Sequence, residues 1–161
     1  MTTREYNQAV EDFADGIFRF ALKHVKNEMT AKDVVQEAFT RVWVRHESIH
    51  VKAVKTYLFK TTYTVLVDWI KKEQINTGLD GQEYLASAHT NGSPDLNEVL
   101  EEALNRLPEI QKSVVLLRDY EGYSYEEIGS IVNLTESQVK VYIFRARQAL
   151  KHYLVQIDYV I

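Results

Sequence analysis

Along most of the chain, apolar residues recur at steps of three and four positions, the spacing that builds one buried face on an α-helix. This pattern predicts three helices in the first half, over residues 9–24, 30–45 and 54–73, the second opened by a capping box at Thr30 and Asp33. In the second half it predicts two helices separated by Pro108, because proline disfavours helical backbone in the residue before it and can start the next helix. We therefore expect an all-α fold.

A segment without helical periodicity, residues 76–95, separates the two helical parts. It contains three glycines and Pro94 and has no lysine or arginine. We interpret it as a flexible linker that joins two small helical domains, residues 1–75 and residues 96–161.

Beyond the fifth helix, the sequence predicts a short helix, a tight turn and a longer helix. Ser124 and Glu127 have the spacing of a capping box, which opens the short helix. Asn133 tolerates the left-handed backbone of a tight turn, and Thr135 can cap the helix that follows. Gly129 leaves room for the two helices to cross closely. This order of elements is typical of a helix-turn-helix, which places its second helix in the major groove of DNA.

The last predicted helix is basic within an acidic second half. From Glu136 to Tyr153 it has four lysines and arginines against one acidic residue. Its outer face carries side chains suited to base edges and phosphates, namely Gln138, Lys140, Val141, Phe144 and Arg145. The alternative interpretation is a solvated basic face on a helical hairpin.

The third predicted helix, with the residues just before it, interleaves basic and aromatic side chains. They are Lys52, Lys55, Lys60, Lys71 and Lys72 with Tyr57, Phe59, Tyr63 and Trp69. Lysines neutralise phosphates while aromatic rings stack on unpaired bases, so the pattern favours binding to melted DNA. Alternatively, aromatic residues at helical spacing belong to the core, which we expect of Trp69 in particular.

Composition excludes several classes of function. The chain has no cysteine, which rules out disulfides, a thiolate nucleophile and a cysteine-based zinc site. No apolar run is long enough to cross a membrane and no apolar signal segment is visible, so we expect a cytoplasmic protein with no membrane partner. The formal net charge of −4 argues against a free-standing, high-affinity DNA-binding protein.

Residues 46–50 spell H-E-x-x-H, which on a helix would place two imidazoles on one face for a zinc hydrolase. The motif lies where the second helix should end, and no further histidine extends it. A chain of this length also leaves little room for a substrate cleft. We therefore expect no catalytic residue and no metal site here.

Three segments, residues 31–43, 57–72 and 107–151, match a known pattern in order along the chain. Together they resemble bacterial RNA polymerase sigma factors of the extracytoplasmic-function (ECF) type, in the sigma-70 family. Residues 31–43 resemble region 2.2, which docks on the clamp helices of the polymerase's largest subunit. Residues 57–72 resemble regions 2.3 and 2.4, which engage and open the minus-10 element, and residues 107–151 resemble region 4, which reads the minus-35 element. The order of the three segments also matches the family.

The resemblance implies a sigma factor, not an enzyme, that binds core RNA polymerase, recognises promoter DNA in two elements and promotes DNA melting without a cofactor. It leaves open whether an anti-sigma factor is a further partner. The residues it assigns to the minus-35 element are Gln138, Lys140, Val141, Phe144, Arg145 and Arg147. Those for the minus-10 element are Lys52, Lys55, Tyr57, Lys60, Tyr63, Thr64 and Lys71. The polymerase-binding residues are Asp33, Gln36, Glu37 and Arg41.

Two positions depart from the family pattern, since Thr64 stands where asparagine is usual and Tyr142 where arginine is common. Residues 46–52 match the loop that captures a flipped minus-10 base, without naming that base.

Two other classes of function stay open. One is a helix-turn-helix repressor that binds duplex DNA without polymerase, and the other is a sigma mimic that sequesters an anti-sigma factor.

Overall fold

The computed structural model describes residues 1–77 and 95–158, and the regular secondary structure of these residues is entirely helical. The first half contains α1 (Thr3–Val25), α2 (Glu28–Val44), short 3-10 turns at His46–Ser48 and Val51–Ala53, and α3 (Val54–Thr77). The second half contains α4 (Leu96–Asn105), α5 (Glu109–Val115), a turn of π-helix (Leu116–Tyr120), α6 (Tyr125–Val132) and α7 (Glu136–Asp158). The predicted all-α fold is confirmed.

The start of α2 differs from the sequence prediction. Asn27 has extended backbone, and its side-chain oxygen accepts a hydrogen bond of 3.0 Å from the Thr30 amide. The amide groups of the first helical turn have no partner within the helix, and asparagine is among the best residues for satisfying one of them. The prediction that Thr30 opens this helix is therefore wrong, and the helix begins at Glu28.

Each half contributes fully buried side chains to the core. In the first half α1, α2 and α3 pack against one another around Ile17, Phe20 and Leu58, which are at most 1% exposed. In the second half α5, α6 and α7 enclose Ile128 and Ile143, at most 2% exposed. Burying a side chain of this size contributes about 1.5–3 kcal/mol, so these packed faces hold the helices in place.

The two halves also pack against each other, chiefly through α3 and α6. The rings of Phe59 and Tyr123 meet edge to face, with centroids 4.9 Å apart. The buried His24 and Ser113 side chains form a 2.9 Å hydrogen bond across the same boundary.

Most of the predicted linker, residues 76–95, lies outside the described residues, although α3 continues to Thr77. No described helix is long and apolar enough to cross a membrane.

Candidate nucleic-acid interface

Local hydrogen bonds shape the helix-turn-helix as the sequence predicted. The Ser124 hydroxyl accepts from the Glu127 amide at 3.1 Å, and the Glu127 carboxylate accepts from the Ser124 amide at 3.2 Å. Asn133 ends α6 in the left-handed conformation, with φ of 60°. A Cβ added to Gly129 would lie 2.6 Å from the Leu134 carbonyl oxygen, so only glycine fits at this crossing without a shift. The predicted motif is therefore present in its packing as well as in its order.

One face of α7 is buried and the opposite face is open to solvent. Val139, Ile143 and Ala146 are at most 2% exposed, whereas Val141 and Phe144 are 46% and 63% exposed. The exposed cations Lys140 and Arg145 lie on the same open face. An apolar pair beside cations suits the major groove, where thymine methyl groups lie between rows of phosphates.

Two of the predicted minus-35 side chains also hold α7 in place. Gln138 accepts a 2.9 Å hydrogen bond from the Thr135 amide, and Thr135 accepts one of 3.2 Å from the Gln138 amide. The Arg147 guanidinium donates two hydrogen bonds, of 2.6 and 3.1 Å, to the Asp119 carboxylate. This pairing raises the pKa of Arg147, because the hydrogen bonds favour its charged form. Both Gln138 and Arg147 are exposed and therefore accessible to DNA. Their contacts with DNA stay a prediction.

The predicted minus-10 residues of α3 divide between two faces. Tyr57, Lys60, Thr64 and Lys71 are exposed and follow one another at helical spacing, forming a stripe that we call the outer stripe. Tyr57 is 44% exposed, which leaves an aromatic surface for stacking. The outer stripe therefore combines a ring, a hydroxyl and two cations on one open surface.

The other two α3 residues face the second half of the chain. The Lys55 ammonium lies 3.4 Å from the Glu127 carboxylate and 3.9 Å from the centre of the Tyr123 ring. Tyr63 is half-buried, and burial together with the charge of Glu109 raises the pKa of its phenol. The structure thus separates Lys55 and Tyr63 from the outer stripe.

The H-E-x-x-H residues do not lie on one helix. The 3-10 turn His46–Ser48 is followed by extended backbone at Ile49 and at His50. The His46 ring donates a hydrogen bond of 2.6 Å to the carbonyl oxygen of Trp43, near the end of α2. The His50 ring accepts a hydrogen bond of 3.1 Å from the Lys52 amide. Among the described residues, no group of three histidine, aspartate or glutamate side chains is arranged to hold a metal.

The same loop is fixed to the end of α2. The rings of Trp43 and His46 stack with centroids 4.1 Å apart and an interplanar angle of 8°. Ile49 is 4% exposed, and the Met1 amino group donates to the carbonyls of His46 and Ile49 at 2.8 and 2.6 Å. The loop therefore has a defined shape, from which the exposed side chains of His50 and Lys52 project.

The predicted polymerase-binding residues share the solvent face of α2. All four are exposed: Asp33, Gln36, Glu37 and Arg41. Glu37 and Arg41 form an i,i+4 ion pair on this surface. Three of the four line a cleft of about 220 Å³ between α2 and α3, and Gln36 lies beside an apolar groove between α1 and α2.

Sequence reasoning did not assign two charged residues to this cleft, Asp68 and Lys72, although it named Lys72 among the basic residues of α3. Their four-residue spacing on α3 placed them on one helix face, but nothing in the sequence showed that this face adjoins α2. It also missed the partners of Lys55, because Tyr123 and Glu127 lie far away along the chain. Local periodicity carries no signal for such long-range contacts.

Two family models match the chain. The one described as Sigma-70 region 2 matches residues 9–75, and the one described as Sigma-70, region 4 matches residues 97–150. The chain is 30% identical over 134 residues to the ECF RNA polymerase sigma-E factor of Escherichia coli K12, covering 73% of this chain and 70% of that protein. It is 28% identical over 145 residues to the ECF RNA polymerase sigma factor SigM of Bacillus subtilis 168, covering 86% and 88%.

Two solved structures share the fold. The sigma factor RpoE, solved in complex with the anti-sigma factor NepR from Bartonella quintana, matches with a TM-score of 0.78 and 22% identity, over 94% of this chain and 98% of that one. CnrH, solved in complex with the cytosolic domain of CnrY, matches with a TM-score of 0.71 and 18% identity, over 96% and 90%.

A helix-turn-helix with an exposed recognition helix, joined to a three-helix body, defines a DNA-binding transcription protein. With region 2 and region 4 both matched, the chain belongs to the sigma-70 family of bacterial RNA polymerase sigma factors, in its ECF group. The predicted family is confirmed, and with it the association with core RNA polymerase and promoter DNA. Sigma factors are non-catalytic subunits, which agrees with the prediction that the chain is not an enzyme.

Proposed function

We propose that the two halves of this sigma factor divide promoter recognition between them. Residues 96–161 act as region 4, with α7 in the major groove of the minus-35 element. Residues 1–75 act as region 2, in which the exposed face of α2 docks on the clamp helices of the polymerase. The outer stripe of α3 and the loop of residues 46–52 hold minus-10 bases, and residues 76–95 link the two bodies.

The observation that carries this proposal is the open face of α7. Phe144 is 63% exposed, whereas the opposite face of α7 is buried, so the Phe144 ring is not part of the core. It lies beside Lys140 and Arg145, which can neutralise phosphates on either side of the groove. Together with the exposed Val141, it gives this basic face an apolar surface that can meet thymine methyl groups.

Strand opening follows from binding energy rather than catalysis. Stacking an unpaired base on an aromatic ring contributes about 1–3 kcal/mol, while each stacked step of duplex DNA contributes on average about 1.4 kcal/mol. A few captured bases, together with phosphate contacts from Lys60 and Lys71, therefore offset the loss of a few base pairs. We assign base stacking to Tyr57, which is the exposed ring of the outer stripe.

We also propose a cytoplasmic location and an anti-sigma factor as a further partner. The support for the partner is that the structurally similar RpoE was solved with the anti-sigma factor NepR. A protein that binds either the face of α2 or the open face of α7 would block initiation, because it would cover a surface that polymerase or DNA requires.

The first test is size-exclusion chromatography of the chain with bacterial core RNA polymerase. We expect co-elution that Arg41→Ala weakens, while Phe144→Ala co-elutes like the wild type because it leaves α2 intact. The resulting holoenzyme should protect promoter DNA around both elements and make minus-10 thymines reactive to permanganate. Binding of duplex DNA by the free chain without any association with polymerase would instead support a repressor.

A further inference from the structure

We propose that Thr64 selects a base with an exocyclic amino group, adenine or cytosine, at one position of the unpaired minus-10 strand. This inference rests on the proposed role of the outer stripe of α3 in holding minus-10 bases. It adds the chemical class of base that the stripe accepts beside Thr64, which is a choice between an amino group and a carbonyl oxygen.

The hydroxyl of Thr64 is already engaged as a donor. Thr64 is exposed, and its Oγ1 atom donates a hydrogen bond of 3.0 Å to the carbonyl oxygen of Lys60, one turn earlier on α3. Thr40 on α2 and Thr62 on α3 donate in the same way to carbonyls four residues earlier, at 2.8 and 2.6 Å. This is an ordinary conformation of threonine within a helix, because the backbone then satisfies the hydroxyl hydrogen.

A hydroxyl that donates to its own helix can only accept from a ligand. It has one hydrogen and two lone pairs, so the exposed side of Thr64 presents an acceptor beside a methyl group. Adenine and cytosine carry an amino donor on the edge where guanine and thymine carry a carbonyl oxygen. An amino group therefore adds a hydrogen bond to Thr64, whereas a carbonyl oxygen faces a lone pair unless the bond to Lys60 breaks.

The neighbours of Thr64 on the outer stripe can hold the strand beside it. Tyr57, which is 44% exposed, lies seven residues earlier, so at about 1.5 Å per residue it is about 10 Å away along the helix. That distance spans about three stacked nucleotides of about 3.4 Å each, so one short stretch of strand can reach both the Tyr57 ring and Thr64. Lys60 and Lys71 are exposed on either side of Thr64 and can neutralise the phosphates there.

The first step of the test locates the selected base. The holoenzyme of the full chain with core RNA polymerase is used to select single-stranded DNA from a pool with a random central stretch, and the bound strands are sequenced. We expect adenine and cytosine to be enriched over guanine and thymine at one position. The enrichment should disappear in Thr64→Val, which keeps the branched shape without the hydroxyl, and persist in Thr64→Ser, which keeps the hydroxyl.

Thr40→Val is the matched control for this selection. Thr40 is also exposed and donates to the carbonyl of Gln36 as Thr64 donates to that of Lys60, but it lies on α2. Its replacement should leave the bases selected at every position unchanged. The same loss of enrichment in Thr40→Val and in Thr64→Val would overturn the proposal.

The second step exchanges a single group on the DNA. At the selected position, uracil replaces cytosine or hypoxanthine replaces adenine, so that a carbonyl oxygen stands where the amino group was. In fluorescence anisotropy with fluorescein-labelled strands, this exchange should weaken binding to the wild-type holoenzyme about three- to tenfold, the effect of one hydrogen bond. It should weaken binding to Thr64→Val less than about twofold, because no hydrogen bond is lost. Thr64→Asn should discriminate equally little, since an amide can both donate and accept.

Failure of this proposal and failure of the minus-10 role give different results. Enrichment of guanine or thymine at the position that depends on Thr64 would overturn the proposal, and so would the same selected bases for the wild type and Thr64→Val. In either case the minus-10 role stands if Tyr57→Ala weakens binding to single-stranded DNA. If Tyr57→Ala binds as well as the wild type and the pool yields no enriched sequence, the minus-10 role of the outer stripe fails, and the proposal fails with it.

Discussion

The buried imidazole of His24 makes pH a direct probe of how the two halves fit together. Its Nδ1 atom lies 2.8 Å from the Phe20 carbonyl oxygen, which can only accept, so Nδ1 carries the hydrogen. Its Nε2 atom, 2.9 Å from the Ser113 hydroxyl, therefore accepts. The native arrangement uses the neutral ring, and a second proton would have to displace the hydroxyl hydrogen.

The size of the effect follows from the pKa. Burial, followed by the nearby charge of Lys112, lowers the pKa of His24 from 6.5 to about 3. Below pH 6.5 the unfolded chain takes up a proton that the native chain refuses, so stability is lost as the pH falls. Between pH 8 and pH 5 this loss amounts to about 2 kcal/mol from His24 alone.

Urea unfolding of the wild type and of His24→Gln across this pH range measures the effect. Glutamine can donate and accept hydrogen bonds as the imidazole does, but it does not titrate. The difference in the free energy of unfolding between the wild type and His24→Gln should therefore change by about 2 kcal/mol as the pH falls. Glu109 lies 3.8 Å from the imidazole, and burial raises its pKa, which opposes the loss at low pH. The same comparison in a Glu109→Gln background removes that contribution. Parallel curves in both backgrounds would show that His24 is not buried as a neutral group.

Two further predictions concern the helix-turn-helix. Gly129→Ala places a methyl group 2.6 Å from the Leu134 carbonyl oxygen, so urea unfolding should show a loss of about 1–3 kcal/mol, with the exposed Ser130→Ala staying within about 0.5 kcal/mol of the wild type. Phe144→Ala should change the free energy of unfolding by less than about 0.5 kcal/mol, because the ring is exposed. It should nevertheless reduce in vitro transcription from a minus-35-dependent promoter about tenfold, which corresponds to about 1.4 kcal/mol of lost binding free energy. If Phe144→Ala lowered the free energy of unfolding by as much as the lost transcription corresponds to, the result would count against a DNA contact.

The helices were predictable because their determinants are local. A capping box such as Ser124 with Glu127 involves neighbours in the sequence, and so does the left-handed turn at Asn133. The start of α2 was mispredicted where two local signals compete, since Asn27 and Thr30 are both good caps and Asn27 comes first along the chain. Local rules thus place a helix correctly while missing its first turn.

The candidate site was predictable only in part, because helical spacing shows which residues share a face and not what that face meets. Tyr57 and Lys60 fall on one stripe of α3, and Lys55 with Tyr63 on another, as spacing alone requires. Which stripe meets the second half depends on contacts with Tyr123 and its neighbours, distant in sequence. For the same reason the sequence could nominate Arg147 for DNA but could not show its pairing with Asp119.

These pairings bear on how a chain with a net charge of −4 can bind promoter DNA. Lys55, Arg19 and Arg147 each lie within 3.4 Å of a carboxylate of the second half. Every cation held this way displaces fewer counterions from DNA, and counterion release supplies most of the non-specific affinity. The free chain is therefore expected to bind DNA weakly.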